Sequence, residues 1–201
     1  MMKTKRRKTM AEIFIISGPS GVGKDTLIKK MMPKLRNVFL SVSCTTRSPR
    51  KGEIDNIDYC FVTDTFFRDQ VKQGNMLEYA DYCTVCYGTP KQPVEKALKE
   101  GKHIILKIER AGMESVKKIY PDAITIFIAP PSLEELRNRI ILRKTDSDRA
   151  IEDRMNKAKI EMEKSKDYME IMVNDDVDKA ADKLAGIINK YIEKSERGAH
   201  K

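Results

Sequence analysis

The strongest constraint on this chain is a heptapeptide near its start. Gly18-Pro19-Ser20-Gly21-Val22-Gly23-Lys24 follows the apolar run Ile13-Phe14-Ile15-Ile16 and precedes Leu27, Ile28, Met31, Met32 and Leu35 at helical spacing. A strand, a glycine-rich turn, a lysine and a helix in that order make a phosphate-binding loop, or P-loop. Glycines permit positive φ and close backbone approach, so successive N–H groups converge on phosphate oxygens. The helix N-terminus adds a favourable partial charge, and Lys24 is expected to reach the terminal phosphates of a nucleoside triphosphate. One position departs from the motif. Where Ser or Thr usually offers a hydroxyl to Mg²⁺, this chain has Asp25, with Thr26 next. A carboxylate is also a hard oxygen ligand, so Asp25 is the candidate Mg²⁺ contact, although it brings a negative charge beside the triphosphate.

The rest of the chain fits the architecture that such a loop implies. Val38 to Val42, His103 to Ile108, Ala123 to Ala129 and Ile171 to Val173 read as strands. They are short, apolar and without strict alternation, as strands buried on both faces are. Helices are expected past Val116, from Leu133 through Ile141, and at the C-terminus. There Val177, Ala180, Ala181, Leu184, Ile187, Ile188 and Tyr191 share one face. The expected fold is therefore α/β, a P-loop NTPase-type parallel sheet flanked by helices. Two stretches break the alternation. Cys44 to Pro93 is rich in Tyr, Thr, Asp and Gly and reads as a small, partly β insertion. Arg137 to Arg154, dense in Arg and Asp, reads as a mobile helical arm.

Charge and composition narrow the setting. At 201 residues the chain has room for one domain with its own core. Its apolar runs are too short to span a bilayer, and no apolar signal core follows the first Met, so a cytoplasmic protein without membrane association is expected. Five of the nine net positive charges fall on Lys3, Lys5, Arg6, Arg7 and Lys8. Residues 1–9 read as a solvated, disordered arm, and this leaves the natural start open between Met1 and Met10. No nucleic-acid partner is expected, the arm being the one feature able to attract one. Four cysteines in a chain this long do not make a disulfide scaffold. Cys83-Thr84-Val85-Cys86, with Cys44 and Cys60 nearby, is a single C-x₂-C without a second, so structural zinc is not expected.

A second anion site is suggested by Ser43-Cys44-Thr45-Thr46-Arg47-Ser48-Pro49-Arg50, followed by Gly52-Glu53 and Asp58-Tyr59. Guanidinium forks bind phosphate bidentately. With these residues in view, the chain resembles the guanylate kinases. The matching stretches are Gly18–Lys24, Ser41–Arg50 with Asp58-Tyr59, Leu77-Glu78-Tyr79-Ala80, Tyr87-Gly88-Thr89-Pro90, Ile126–Leu136 and Val173-Asn174-Asp175-Asp176. They occur in the family's order across residues 11–190.

The resemblance implies a domain over residues 10–194, with a core (10–43, 94–136 and 155–194), a GMP-binding insertion (44–93), a lid (137–154) and a tail (195–201). It implies transfer of the ATP γ-phosphoryl group to GMP, and to dGMP, with Mg²⁺, in purine nucleotide metabolism. Gly18, Pro19, Ser20, Gly21, Val22, Gly23, Lys24, Asp25 and Thr26 would cradle ATP, with Asn174 near the adenine. Arg139, Arg143 and Arg154 would clamp its phosphates. Arg47, Arg50, Tyr59 and Tyr87 would hold the GMP phosphate, and Ser43, Glu78 and Thr89 would read guanine. Lys24, Arg47, Arg143 and Arg154 are the expected catalytic set. Whether the chain acts as a monomer or a homo-oligomer stays open.

The resemblance breaks on the strand Ile104-Ile105-Leu106-Lys107-Ile108-Glu109. The family pattern has aspartates at the positions of Lys107 and Glu109. Glu109 keeps the charge and is expected on the guanine side. Lys107 reverses it, beside the equally unexpected Asp25, and a reciprocal swap producing an Asp25–Lys107 ion pair is the expectation. The family also usually has Asp where Met169 stands. Two other functions remain compatible with the sequence: a P-loop kinase for another phosphorylated acceptor such as ribose 1,5-bisphosphate, and a non-catalytic binding module.

Overall fold

The computed structural model describes residues 11–82, 85–142 and 147–198. In chain order the first half contains β1 Ile13–Ser17, α1 Lys24–Met31, β2 Val38–Leu40, β3 Cys44–Thr45, β4 Cys60–Phe61, α2 Asp64–Lys72, β5 Met76–Tyr82 and β6 Val85–Pro90. The second half contains α3 Lys91–Lys99, β7 His103–Lys107, α4 Arg110–Ile119, β8 Ile124–Ala129, α5 Leu133–Leu142, α6 Asp148–Glu163, β9 Glu170–Val173 and α7 Val177–Gly198.

Every residue of β1 is buried, because its side chains serve two cores at once. Phe14 and Ile16 pack with α1, α5, α6 and α7, while Ile13 and Ile15 pack with α3 and α4 on the other face. Fully burying each such side chain contributes about 1.5–3 kcal/mol, so this strand anchors both layers. It lies at the centre of a five-stranded parallel sheet in the order β2-β7-β1-β8-β9, the architecture expected from the apolar runs. The register sets Ile16 level with Lys107 and Ser17 level with Phe127. The C-terminal ends of β1, β7 and β8 therefore converge where the glycine-rich loop leaves β1.

A second sheet, in the order β4-β3-β6-β5, occupies the stretch that breaks the alternation. Its β3–β4 pair is parallel and its other pairs are antiparallel. Phe67 of α2, 1% exposed, fills a small core with Cys44 and Cys86. Helix α2 is not anticipated from the sequence, since it buries only Phe67 and so lacks an apolar stripe. Its start is nevertheless written locally: the Thr63 hydroxyl accepts from the Phe66 N–H at 3.2 Å. β6 ends at Pro90 and α3 starts at Lys91, so strand passes into helix without a loop. The polar stretch expected to form a helical arm holds the end of α5 and the start of α6, joined across the helices by Arg137 and Glu152 at 2.5 Å. Residues 1–10, 83–84, 143–146 and 199–201 lie outside the described residues, and with them the basic arm, Cys83 and Arg143. Among the described residues, no helix is long and apolar enough to cross a membrane.

Candidate active site

The glycine-rich loop is held from both sides. Val22 is fully buried and anchors it in the core. Gly23 caps α1 with a φ of 98°, a left-handed conformation that favours glycine, and a Cβ there would lie 2.7 Å from the Asn174 side-chain nitrogen. Asn174 is 4% exposed, and its Nδ2 donates to the Val22 carbonyl at 2.8 Å. The Arg139 guanidinium donates to the Asn174 carbonyl at 3.1 Å and to Glu135 at 2.9 Å. Asn174 and Arg139 thus stand against the loop as a brace. Ser20 of the loop and Thr26 of α1 are exposed.

Lys24 folds back over the loop, its Nζ donating to the Gly18 carbonyl at 2.5 Å and the Pro19 carbonyl at 3.2 Å. Burial pulls its pKa below the ordinary lysine value, against the charges of Glu109, Glu161 and Asp25. The next residue turns the other way. Asp25 is largely exposed, and its Oδ1 lies 2.5 Å from the Lys107 Nζ, which forms the ion pair expected from the two unusual letters. The same ammonium sits 4.4 Å from the centre of the Tyr59 ring. Burial opposes the charge on Lys107, but the Tyr59 hydroxyl and Asp25 outweigh it and raise its pKa. Burial likewise pushes the Tyr59 phenol up.

From Tyr59 the contacts continue into the second sheet. Its ring meets Tyr87 edge-on at 5.9 Å, and the Arg47 guanidinium lies 5.0 Å from the Tyr59 ring centre. Arg47 donates from Nε to the Tyr87 hydroxyl at 3.1 Å. Its two terminal nitrogens grip both Glu53 oxygens at 2.7 and 2.6 Å. This bidentate pair holds the Glu53 carboxyl down at about 2. Glu53 also accepts from the Arg50 N–H at 2.7 Å, while the Arg50 side chain is exposed. Sequence reasoning named both arginines and both tyrosines but gave Glu53 no role. The signal was an acid three residues after Arg50.

The residues expected to read a base are buried together. Glu78 is 7% exposed and Thr89 fully buried, and the Thr89 hydroxyl donates to Glu78 Oε1 at 2.6 Å. Burial raises the Glu78 pKa, with Glu109 adding to it, while Thr89 opposes the shift. Helix α4 makes room for this carboxylate with Gly112, where a Cβ would lie 2.4 Å from Glu78 Oε2. Gly112 was missed. A glycine inside a helical pattern was its only mark in the sequence. Ser43 is 8% exposed and its carbonyl accepts from the Cys60 N–H at 2.9 Å. Glu109 caps the start of α4, and its carboxylate accepts from Lys157 of α6 at 2.6 Å. Arg154 lies on the same face of α6 as Lys157 and Glu161, three and seven residues earlier.

Cys44, Cys60 and Cys86 belong to the small core of the second sheet. Burial and Cys60 push the Cys44 thiol up to about 12, and burial with Asp81 pushes Cys86 up to about 11. Among the described residues, no three or more His, Cys, Asp or Glu are grouped so as to hold a metal. Mg²⁺ does not require such a cage, since one or two carboxylates with phosphates and water complete its shell. The exposed Asp25 carboxylate, next to the loop lysine, suits that mode.

Comparison with known proteins places this geometry. The guanylate kinase family model matches residues 10–191. The chain is 43% identical over 185 residues to a guanylate kinase of Oceanobacillus iheyensis, covering 92% of this chain and 90% of that one. It is 42% identical over 177 residues to the Bacillus subtilis guanylate kinase, covering 88% and 87%. Among solved structures, the guanylate kinase from Anaplasma phagocytophilum is similar, with a TM-score of 0.74 and 30% identity over 91% of this chain and 87% of that one.

Proposed function

The chain belongs to the guanylate kinase family of enzymes, which is consistent with phosphorylation of GMP by ATP, and from that premise we propose how its own residues divide the work. The glycine-rich loop and Lys24 hold the ATP triphosphate, braced by Asn174. Bound with ATP, Mg²⁺ supplies charge neutralisation, and Asp25 is the side chain able to contribute an oxygen to it. Arg47, Arg50, Tyr59 and Tyr87 hold the GMP phosphate. Arg47 carries most of this role: Tyr87 positions its Nε, and the phosphate takes the place of the Glu53 carboxylate on its two terminal nitrogens.

Transfer needs no covalent intermediate. An oxygen of the GMP phosphate attacks the γ-phosphorus in line, and the ADP oxygen leaves. The protein contributes positioning and positive charge. Arg139 of α5 and Arg154 of α6, with Arg143 between them in the sequence, add charge and exclude water as the lid closes on the nucleotide. Location in the cytoplasm and a place in purine nucleotide metabolism follow from this reading.

The buried Glu78 carries the base assignment. It is a nearly fully buried carboxylate held on one oxygen by Thr89. Guanine presents N1–H and a 2-amino group, two donors that would satisfy the carboxylate and restore its ionised form. Adenine lacks that pair and would leave a buried carboxylate unpaired, a difference worth about 10⁴-fold or more in kcat/KM. Ser43 supplies a hydroxyl for the guanine O6, and Lys157 holds the Glu109 carboxylate at the head of α4, whose charge works against the ionised Glu78. Coupled ADP-release rates with GMP, dGMP, AMP and ribose 1,5-bisphosphate, with and without Mg²⁺, test the assignment. GMP proving no better than AMP or the bisphosphate overturns it.

A further inference from the structure

We propose that Lys107 is a further catalytic residue, a cation at the seam between the two nucleotides whose ammonium rests on Asp25 and moves onto phosphate when substrates bind. The inference rests on the acceptor site assigned above. Lys107 ends the strand beside β1, level with Ile16, so its stem emerges next to the glycine-rich loop. Its side chain is 15% exposed, and its two close partners belong to opposite halves of the site. Asp25, at 2.5 Å, is the residue after the loop lysine. Tyr59, 4.4 Å below the ammonium, belongs to the acceptor group and links through Tyr87 to Arg47.

The cations of the two flanking groups have other partners. Lys24 is folded onto the loop carbonyls, and Arg47 is engaged by Glu53 and Tyr87. Two phosphate groups approaching for in-line transfer repel one another, and a positive charge between them lowers that barrier most. The Asp25 carboxylate carries one negative charge, whereas the two phosphates together carry several. The ammonium therefore exchanges one anion for another without crossing a neutral environment, and Tyr59 lines its path.

A purely structural ion pair and a resting contact make opposite forecasts for GMP binding. If the pair only stabilises the fold, K107M and D25N weaken GMP in the same direction. If Asp25 competes with phosphate for Lys107, removing the competitor raises the apparent affinity. The experiment is calorimetric titration of GMP into wild type, K107M, K107R, D25N and K30M, each with a melting curve and a steady-state kcat. K30M removes a lysine paired with Asp178 outside the site and controls for net charge. Expected are a GMP Kd about tenfold to a hundredfold weaker for K107M, severalfold tighter for D25N and unchanged for K30M. The K107M kcat falls about 10²-fold, and K107R recovers part of it. The two halves of one ion pair shifting GMP affinity in the same direction, or K107M turning over at the wild-type rate, refutes the role of Lys107 alone. Failure of the wild-type protein to turn over GMP refutes both this role and the acceptor assignment.

Discussion

Replacing Gly112 by alanine separates base recognition from stability. The added Cβ would lie 2.4 Å from Glu78 Oε2 and 2.9 Å from its carboxyl carbon, where ordinary contact begins at 3.4 Å. The carboxylate must therefore retreat by about 1 Å, and it is buried and tied to Thr89 at 2.6 Å. Overpacking of this kind costs about 1–3 kcal/mol. Exchanging glycine for alanine inside α4 returns about 1 kcal/mol of helix propensity. The net change is a loss of about 0–2 kcal/mol, which lowers the melting temperature of a domain this size by a few degrees. Recognition suffers far more, because a displacement of about 1 Å in a positioning group costs about 10²-fold. The expected result is kcat/KM for GMP down about 10²-fold, with the much slower reaction of AMP unchanged. Coupled ADP release with each nucleotide reads both numbers. Intact GMP turnover in G112A, or AMP falling in parallel, would refute the reasoning.

Other perturbations have equally definite signs. E53Q should remove an acid-sensitive part of stability. The Glu53 pKa is held at about 2, below the ordinary 4.5, so its contribution is complete above pH 4.5 and lost as pH falls towards 2. Wild-type melting curves across that window should lose stability that E53Q never had, and parallel curves would contradict the pairing. N174A removes the donor to the Val22 carbonyl, at a cost of about 1–3 kcal/mol for the unsatisfied buried group. It should also weaken an ATP analogue without altering GMP affinity, as calorimetry with each ligand can check. K24M should abolish ATP turnover while GMP titrates as in wild type, and loss of GMP binding as well would mean that the two halves are not separable.

The parallel sheet and the glycine-rich loop were legible because each leaves a local signature. Five apolar runs and one strand-turn-helix junction sufficed. The Asp25–Lys107 contact was also readable, since two unusual letters at positions that P-loop geometry brings together explain each other. The second sheet was legible only as an insertion. β3 and β4 have two residues each, too few for any period, and α2 buries one phenylalanine. Gly112 acts across the fold, by leaving space for a side chain thirty-four residues earlier, whereas Glu53 grips Arg47 within one loop, six residues away. The first relation is not encoded in local spacing, and the second lies in an irregular loop where no period marks which arginine the acid meets. The brace role of Asn174 was hidden as that of Gly112 was: its partner, Val22, lies 152 residues away.

The Arg47–Glu53 clasp changes what capturing an anion means for this protein. A guanidinium facing water gains a phosphate by shedding solvent and counter-ions, and its grip weakens steeply as salt rises. Here the incoming group displaces a tethered carboxylate, so one fixed anion is traded for another and few free ions are released. Acceptor affinity should therefore vary with ionic strength less than a count of nearby cations suggests, and singly charged anions should be turned away.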